Sequence, residues 1–336
     1  MTAANSSAGD SLIWYLDDEL DEFEIEKKML REGGHEMVLT RSGAYSEDYG
    51  KYAHRARGII ITPSFPLLGE EDVKGLTRCK IISVNGGGYN NVDIETATKQ
   101  GIAATFVPGY CVEEVSDHAI ALMLGLNRCL PQCQEMTRKG VWKAVQVGPI
   151  HRIKGQVLGL LGFGRIARTV ARKAKCFGLH VKAYDPYVSE SEMNQLDVKK
   201  VEFAELVSTA DFFSLHVLLT EETYHLFDAK VFDAMKNTAY LINTCRGDVV
   251  DEAALINALK DKKIAGAGLD VLSKEPPEAL NPLLHMPNVI VSPHSAFMSH
   301  EAEEEVRFRS TKAVIDALED RIPEDIINPE IFKKGK

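Results

Sequence analysis

Several features that mark binding to nucleic acid or insertion into a membrane are missing from the sequence. The formal net charge of the 336 residues is −10, which argues against a nucleic-acid-binding surface because such a surface needs excess positive charge. No apolar run reaches the roughly 18 residues that a membrane-spanning helix requires. The N-terminus lacks the charged start and apolar core of a signal peptide. We therefore predict a cytoplasmic protein with a disordered tail at residues 1–10.

Cysteine is present, but not in a metal-binding pattern. The six cysteines include no CxxC pair, and no cluster of histidines accompanies the neighbouring Cys129 and Cys133. We therefore predict reduced, mostly buried thiols and no metal ion.

The remaining composition is typical of a soluble globular α/β protein. Apolar residues make up 45% and charged residues 26% of the chain, and its length favours two domains of roughly 100–200 residues each. Short apolar runs alternate with helical patterns, which indicates parallel sheets covered on both faces. The predicted strands lie at 12–16, 58–62, 80–84, 101–107, 157–161, 181–184, 212–216, 239–243, 267–271 and 289–292, and the predicted helices at 21–31, 71–77, 118–138 and 299–318.

A domain boundary is predicted after the first four of these strands. Ser116-Asp117 is a good N-cap signal for the long predicted helix at 118–138, and a new α/β pattern starts at Val157. We predict a dinucleotide-binding domain over residues 118–298 and a first domain over residues 11–117, to which the final helix could return.

A glycine-rich turn is the strongest local signal in the second domain. Gly162-x-Gly164-x-x-Ala167 follows an apolar strand and opens a helix. Gly162 permits a tight turn, Gly164 lets the backbone approach a pyrophosphate, and the helix N-terminus attracts phosphate. Asp185 ends the next strand, where an acidic residue binds ribose hydroxyls and repels a 2′-phosphate. We predict NAD (NADH) as the cofactor, with NADP disfavoured; the alternative is an ordinary glycine turn.

Arg246 is a candidate for binding a substrate carboxylate. It follows the predicted strand 239–243, and ligands bind at the carboxyl ends of strands in parallel sheets. An arginine there can bind a carboxylate through two hydrogen bonds and polarise the adjacent ketone. The alternative is an arginine that caps a helix or pairs on the surface.

His294 and Glu275 are candidates for an acid/base pair. His294 follows Pro293 after a strand-like run, and Glu275 precedes Pro276 in a polar loop. A carboxylate beside an imidazole stabilises its charged form, and such a pair can give a proton to a carbonyl oxygen and take it back. The alternatives are a structural histidine and a solvated loop charge, because the sequence does not show whether the two side chains touch.

A second glycine-rich turn lies in the first domain. Asn85, Gly86, Gly87 and Gly88 follow the predicted strand 80–84. Their consecutive backbone NH groups could hold a carboxylate, so we predict that these four residues bind the substrate together with Arg246. The alternative is a flexible turn.

These motifs together resemble the D-isomer-specific 2-hydroxyacid dehydrogenases over most of the chain, from Leu12 to Pro329. The matching segments, in order, are Gly87-Gly-Tyr-Asn-Asn-Val-Asp93, Gly159–Ala167, Thr244–Glu252, Gly268–Val271 with Glu275-Pro276, and Pro293-His294. The resemblance implies two Rossmann-like or flavodoxin-like domains with parallel sheets. The cofactor domain, 118–298, would be inserted into a split substrate domain made of 11–117 and 299–336.

The resemblance also implies roles for individual residues. It makes Arg246, Glu275 and His294 the catalytic set. It implies cofactor contacts at Gly162, Gly164, Arg165, Ile166, Asp185, His216, Thr220, Thr244, Cys245, Asp270 and His294. It further implies a homodimer, with dimer contacts from the helical segment 118–138.

Within the family, residues 108–118 and 293–299 look most like the branch that contains the C-terminal-binding-protein corepressors. Three positions bear on the reaction. Val84 stands where phosphoglycerate-type relatives carry Arg or Lys, which disfavours a phosphorylated substrate. Phe297 replaces the tryptophan of the corepressors, so their pocket preference does not transfer. Glu275 argues against the formate dehydrogenase reaction, whose enzymes carry Gln there.

The sequence therefore predicts an NAD-dependent oxidoreductase that interconverts a 2-oxo acid and a D-2-hydroxy acid. In this prediction Arg246 binds the carboxylate, and His294 with Glu275 transfers the proton. The alternative function is an NAD(H)-sensing, corepressor-like binding protein with incidental dehydrogenase activity. Glyoxylate, hydroxypyruvate and larger 2-oxo acids remain open as substrates.

Overall fold

The structure, a computed structural model, describes residues 11–332, so the predicted tail at 1–10 lies outside the described residues. Strands alternate with helices from the beginning of this range. The first elements are β1 (Leu12–Leu16), α1 (Glu24–Glu32), β2 (Glu36–Thr40), α2 (Tyr45–Tyr52), β3 (Ala56–Ile61), α3 (Glu70–Lys74), β4 (Ile81–Val84), α4 (Ile94–Gln100) and β5 (Ala103–Thr105).

The alternation continues through the rest of the described chain. The next elements are α5 (Val112–Asn127), α6 (Leu130–Arg138), β6 (Val157–Leu161), α7 (Arg165–Lys175), β7 (His180–Tyr184), α8 (Glu190–Asn194), β8 (Lys199–Lys200), α9 (Phe203–Thr209), β9 (Phe212–Leu215), α10 (Ala229–Ala234), β10 (Tyr240–Asn243), α11 (Glu252–Lys260), β11 (Gly266–Leu269), β12 (Val289–Val291) and α12 (His300–Leu318). Short 3₁₀ helices occur at Ser42–Ala44, Ala144–Gln146, Gly247–Val249, Pro282–His285 and Pro329–Phe332.

Two compact units divide the described residues, and the first consists of residues 11–110 with 299–332. Its five strands form a parallel sheet in the order β2-β1-β3-β4-β5. The strand β1 is buried along its whole length. The helix α12 packs on one face of this sheet, where Ala313, Val314 and Ala317 contact Ile13 and Ile60. The last helix therefore completes the core of the first unit.

The second unit, residues 111–298, contains a seven-stranded parallel sheet. The strand order is β12-β11-β10-β9-β6-β7-β8, and every neighbouring pair is parallel. The order reverses between β6 and β9, and in doubly wound sheets ligands bind at the carboxyl ends of the strands at such a reversal. The predicted α/β class with two parallel sheets is confirmed.

The predicted helix at 118–138 is wrong in two respects. The helix α5 begins at Val112, because Glu113 and Glu114 complement the positive N-terminus and Ser116 Oγ donates back to the carbonyl oxygen of Glu113 instead of capping. The chain then breaks at Cys129, which has a left-handed φ of 50°, before α6 starts. Pro131 explains the break, since within a continuous helix its ring would clash with the preceding turn.

Candidate active site

The glycine turn after β6 has the geometry that a dinucleotide requires. Gly162 has a φ of 86°, and a Cβ there would lie 2.5 Å from the carbonyl oxygen of His216. Gly164 is the N-cap of α7, and a Cβ there would meet no described atom within 4 Å. Open space therefore lies in front of the backbone at the α7 N-terminus, where unpaired NH groups can bind phosphate.

The residues around this turn fit a nicotinamide dinucleotide. Arg165, the first residue of α7, is exposed, and Ile166 is partly buried. At the carboxyl end of β10, the buried Oγ1 atom of Thr244 has no hydrogen-bond partner among the described residues. A buried hydroxyl is costly when unpaired, so this atom fits a polar group of a bound cofactor.

Asp185 lies at the carboxyl end of β7, where the sequence predicts it. Its Oδ2 accepts a hydrogen bond from the NH of Phe163 at 2.8 Å, and its Oδ1 accepts one from the NH of Tyr187 at 2.9 Å. The Tyr187 hydroxyl donates to Glu222 at 3.2 Å. The Asp185 carboxylate therefore lies against the glycine turn, and on the same turn the side chain of Arg168 donates to the carbonyl oxygen of Phe163 at 2.9 Å.

Three other predicted cofactor residues have identifiable partners. The ring of His216 hydrogen-bonds to Ser214 at 2.9 Å, and burial lowers the pKa of this histidine to about 4, so the ring is neutral. The backbone NH of Thr220 donates to Thr223 in an exposed turn. The thiol of Cys245 donates to Asn243, and burial raises its pKa.

Arg246 is held in a tight turn after β10. The side-chain amide of the buried Asn243 donates to the carbonyl oxygen of Arg246 at 2.9 Å and accepts from the NH of Cys245 at 3.0 Å. The guanidinium donates to the carbonyl oxygen of Cys245 at 2.6 Å. A Cβ at Gly247 would lie 2.1 Å from the backbone of Leu272, so glycine lets this turn pack against the loop that leads to Glu275.

Glu275 and His294 form a hydrogen bond. The Nδ1 atom of His294 lies 2.7 Å from Oε2 of Glu275, and Oε1 of Glu275 accepts from the NH of Leu272 at 2.9 Å. A carboxylate only accepts, so Nδ1 carries a proton. The Nε2 atom on the other side of the ring is then the nitrogen that can exchange a proton with a reactant. The His294 side chain is 44% exposed, so a reactant can reach it.

The electrostatics of this pair favour its charged form. The hydrogen bond that His294 donates to Glu275 raises the pKa of His294, although burial and the positive charge of Arg246 oppose this effect. Burial alone would raise the pKa of Glu275, but its hydrogen bond to His294 and the charge on that ring bring the pKa below its usual value. The arrangement is an imidazolium–carboxylate pair near a guanidinium.

Asp270, at the carboxyl end of β11, organises the loop that contains His294. Its Oδ1 accepts from the hydroxyl of Ser292 at 2.6 Å and from the NH of Ser295 at 2.9 Å, and its Oδ2 accepts from the NH of Ala296 at 2.9 Å. Its carbonyl oxygen accepts from the NH of His294 at 2.8 Å. These bonds hold His294 at a left-handed φ of 51°, which a non-glycine residue rarely adopts.

The first unit contains the turn at Asn85, Gly86, Gly87 and Gly88. The Asn85 side chain is buried, donates to Tyr15 at 3.1 Å and accepts from Ser310 at 3.0 Å, so its amide supports the turn from within. A Cβ at Gly86 would lie 2.3 Å from the ring of Pro63. The backbone of the glycines, and not the Asn85 side chain, is thus the part of the turn that is available to bind a ligand.

The structure therefore brings Arg246, Glu275 and His294 together on three adjacent strand ends, those of β10, β11 and β12.

Sequence reasoning missed His118, on α5, whose Nε2 lies 2.7 Å from Oγ of Ser292. The only signal for it in the sequence was its place at the end of the segment 108–118, which carries part of the family resemblance. Among the described residues, no group of three or more His, Cys, Asp or Glu side chains could hold a metal ion. Within residues 11–332 no helix has the length and apolarity to span a membrane.

Comparison with known proteins identifies the family of this chain. Residues 120–296 match the model of the D-isomer specific 2-hydroxyacid dehydrogenase family, NAD binding domain. The chain is 39% identical to a glyoxylate reductase of Korarchaeum cryptofilum over 261 residues, which is 76% of this chain and 78% of the relative.

Solved structures are similar over nearly the whole chain. A glyoxylate reductase from Paecilomyes thermophila superimposes with a TM-score of 0.84 at 28% identity and covers 95% of this chain and 99% of its own. A D-lactate dehydrogenase with NAD⁺ from Lactobacillus jensenii gives a TM-score of 0.76 at 28% identity, with coverage of 94% and 99%. The family resemblance is confirmed, while the corepressor branch stays a prediction. The chain belongs to the D-isomer specific 2-hydroxyacid dehydrogenases, oxidoreductases that use a nicotinamide dinucleotide.

Proposed function

We propose that this protein reduces a small 2-oxo acid reversibly to the D-2-hydroxy acid with NADH, using Arg246, Glu275 and His294 as its catalytic residues. The observation that carries the proposal is the 2.7 Å hydrogen bond between Nδ1 of His294 and Glu275. This hydrogen bond stabilises the protonated imidazole, whose Nε2 can then act as a general acid.

Each of the proposed catalytic residues has a separate role in the reaction. Arg246 binds the substrate carboxylate and polarises the neighbouring ketone, since a guanidinium pairs with a carboxylate through two parallel hydrogen bonds. The nicotinamide, when bound, supplies the hydride that the carbonyl carbon accepts. His294 gives its Nε2 proton to the carbonyl oxygen, which completes the hydroxyl group. Glu275 keeps the ring oriented and stabilises its charge until then. In the reverse direction the neutral ring takes the proton from the hydroxyl.

Glyoxylate is the first substrate to test. Two similar proteins carry the name glyoxylate reductase, and Val84 ends a strand of the first unit without a positive charge for a phosphate. We propose an unphosphorylated 2-oxo acid for these reasons.

NAD is the proposed cofactor in preference to NADP. Asp185 lies beside the glycine turn, where it accepts hydrogen bonds from the NH groups of Phe163 and Tyr187. The negative charge of Asp185 would repel the 2′-phosphate of NADP, while its carboxylate can accept hydrogen bonds from the ribose hydroxyls of NAD.

We also propose a homodimer in the cytoplasm. Support for the dimer comes from large apolar side chains in and after α6: Leu130 is 56%, Trp142 88% and Val145 94% exposed. A group of such side chains is typical of a surface that another chain covers.

The test is NADH oxidation at 340 nm with a panel of 2-oxo acids, run beside NADPH. We expect turnover with NADH, and a loss of about 10²–10⁴-fold in kcat for His294→Ala and for Arg246→Ala. The affinity for NADH, measured by fluorescence, should remain in both variants. The matched control is His285→Ala, which changes an exposed histidine that bonds to Ala279.

Two outcomes would contradict the proposal. Loss of NADH binding together with activity in both variants would assign these residues a structural role. Tight NADH binding without turnover of any acid would favour the NAD(H)-sensing binding protein instead.

A further inference from the structure

His118 connects the helix α5 to the loop that contains His294. Its Nε2 lies 2.7 Å from Oγ of Ser292 and 3.5 Å from Oδ1 of Asp270. The three side chains come from α5 and from the ends of the adjacent strands β11 and β12. None of them reacts in the mechanism proposed above.

The direction of the hydrogen bonds follows from the number of protons. Ser292 has one hydroxyl proton, and it donates that proton to the Asp270 carboxylate at 2.6 Å. Its oxygen must then accept from His118, so Nε2 of His118 carries a proton. His118 therefore donates a hydrogen bond to Ser292, and Ser292 donates one to Asp270.

The last acceptor in this series of hydrogen bonds, Asp270, shapes the loop that contains His294. Asp270 is 2% exposed, and its carboxylate also accepts from the NH groups of Ser295 and Ala296. Its carbonyl oxygen accepts from the NH of His294. Removing the first donor would let Ser292 and the Asp270 carboxylate reorient. The loop could then relax the left-handed backbone at His294.

We propose that His118 is a positioning residue for the proton transfer: through Ser292 and Asp270 it keeps the His294 ring in hydrogen-bond contact with Glu275. The inference rests on the proposed function, because it assigns His294 the role of the acid. Glu275, Arg246 and Asp270 are the charged groups that act on the His294 ring.

The test compares His118→Ala, His118→Gln, Ser292→Ala and the His118→Ala/Ser292→Ala double variant. Alanine suits a helix, so α5 should persist without the imidazole. We expect kcat to fall roughly tenfold in His118→Ala, since a small misplacement of a reacting group is costly. Glutamine offers a donor at a similar reach and should recover most of the loss. The double variant should be no slower than Ser292→Ala alone, because the two residues act in series.

A pH profile of the reduction rate distinguishes a positioning effect on the His294 ring from a general disturbance of the fold. The pKa of His294 is raised mainly by its contact with Glu275, so weakening that contact should move the decline of the reduction rate to lower pH in His118→Ala. The melting temperature should stay close to that of the unaltered protein. His180→Ala, at an exposed position at the start of β7, is the control that should change nothing.

Independent losses that multiply in the double variant would overturn the inference, as would an unshifted pH profile or a glutamine variant as slow as alanine. If the unaltered protein turned over no 2-oxo acid, the proposed function would fail on its own. An NMR titration of the His294 ring would then still decide the matter: a lower pKa in His118→Ala supports the positioning role, and an unchanged pKa refutes it.

Discussion

At the scale of single residues, the hydrogen bond between His294 and Glu275 would set the pH range of the proposed reaction. Reduction requires the charged imidazole, whose pKa lies above its ordinary value. We therefore expect kcat/KM for reduction to stay level at low pH and to fall as pH rises through the raised pKa of His294. Oxidation of the hydroxy acid requires the neutral ring and should rise over the same range.

The variant Glu275→Gln tests whether Glu275 is the cause of the raised pKa of His294. It removes the charge and weakens the hydrogen bond that raise the pKa of His294, so the decline in reduction should move to lower pH. Rate profiles measured in both directions between about pH 5 and 10 would show the change. Identical midpoints for the variant and the unaltered protein would mean that another group controls the profile.

Two of the three proposed catalytic residues stood out in the sequence because each follows a readable strand. Arg246 and His294 lie directly beyond apolar runs, and the carboxyl ends of such runs meet at one edge of a parallel sheet. The contact of His118 with Ser292 was not predictable, because it joins positions 174 residues apart through the packing of α5 on the sheet.

At the scale of elements, the turn after β10 depends on a close approach to the loop after β11. A Cβ at Gly247 would lie 2.1 Å from the backbone of Leu272, and neither backbone can yield without shifting Arg246 or Glu275. We expect Gly247→Ala to destabilise the fold by about 1–3 kcal/mol, typical of overpacking, and to lower kcat at least tenfold. Thermal unfolding and steady-state kinetics measure the two effects.

Gly148→Ala is the matched control, since a Cβ there meets no described atom within 4 Å. It should leave both the melting temperature and kcat unchanged. Full activity in Gly247→Ala would show that the two loops adjust freely, and the close approach would then have no part in orienting the catalytic side chains.

Two of the missed elements, β2 and α4, have weak apolar patterns. The strand β2 lies at the edge of its sheet and is mostly half-buried, so it has no continuous apolar run. The helix α4 carries good end signals instead: Asp93 caps its N-terminus by accepting from the NH of Thr96, and Gly101 ends it in a left-handed conformation. Capping residues would have identified this helix where periodicity did not.

At the scale of the whole molecule, the exposed apolar side chains around α6 bear on assembly. We expect Trp142→Glu to weaken the proposed homodimer, because it places a charge where a large apolar side chain is 88% exposed. Analytical ultracentrifugation over a dilution series should show dissociation at higher concentrations than in the unaltered protein. Ile322→Glu, which changes another exposed apolar residue, should leave the mass distribution unaltered. A monomer for the unaltered protein at all concentrations would refute the proposal.

The clustering of the three catalytic candidates on β10, β11 and β12 has an evolutionary consequence. All three lie within residues 240–298, and none comes from the first unit. In the proposed mechanism, a short stretch of the gene therefore encodes all three of these side chains. Since the Asn85–Gly88 turn of the first unit is predicted to bind the substrate, we expect mutations there to change substrate preference while the proposed proton transfer is kept.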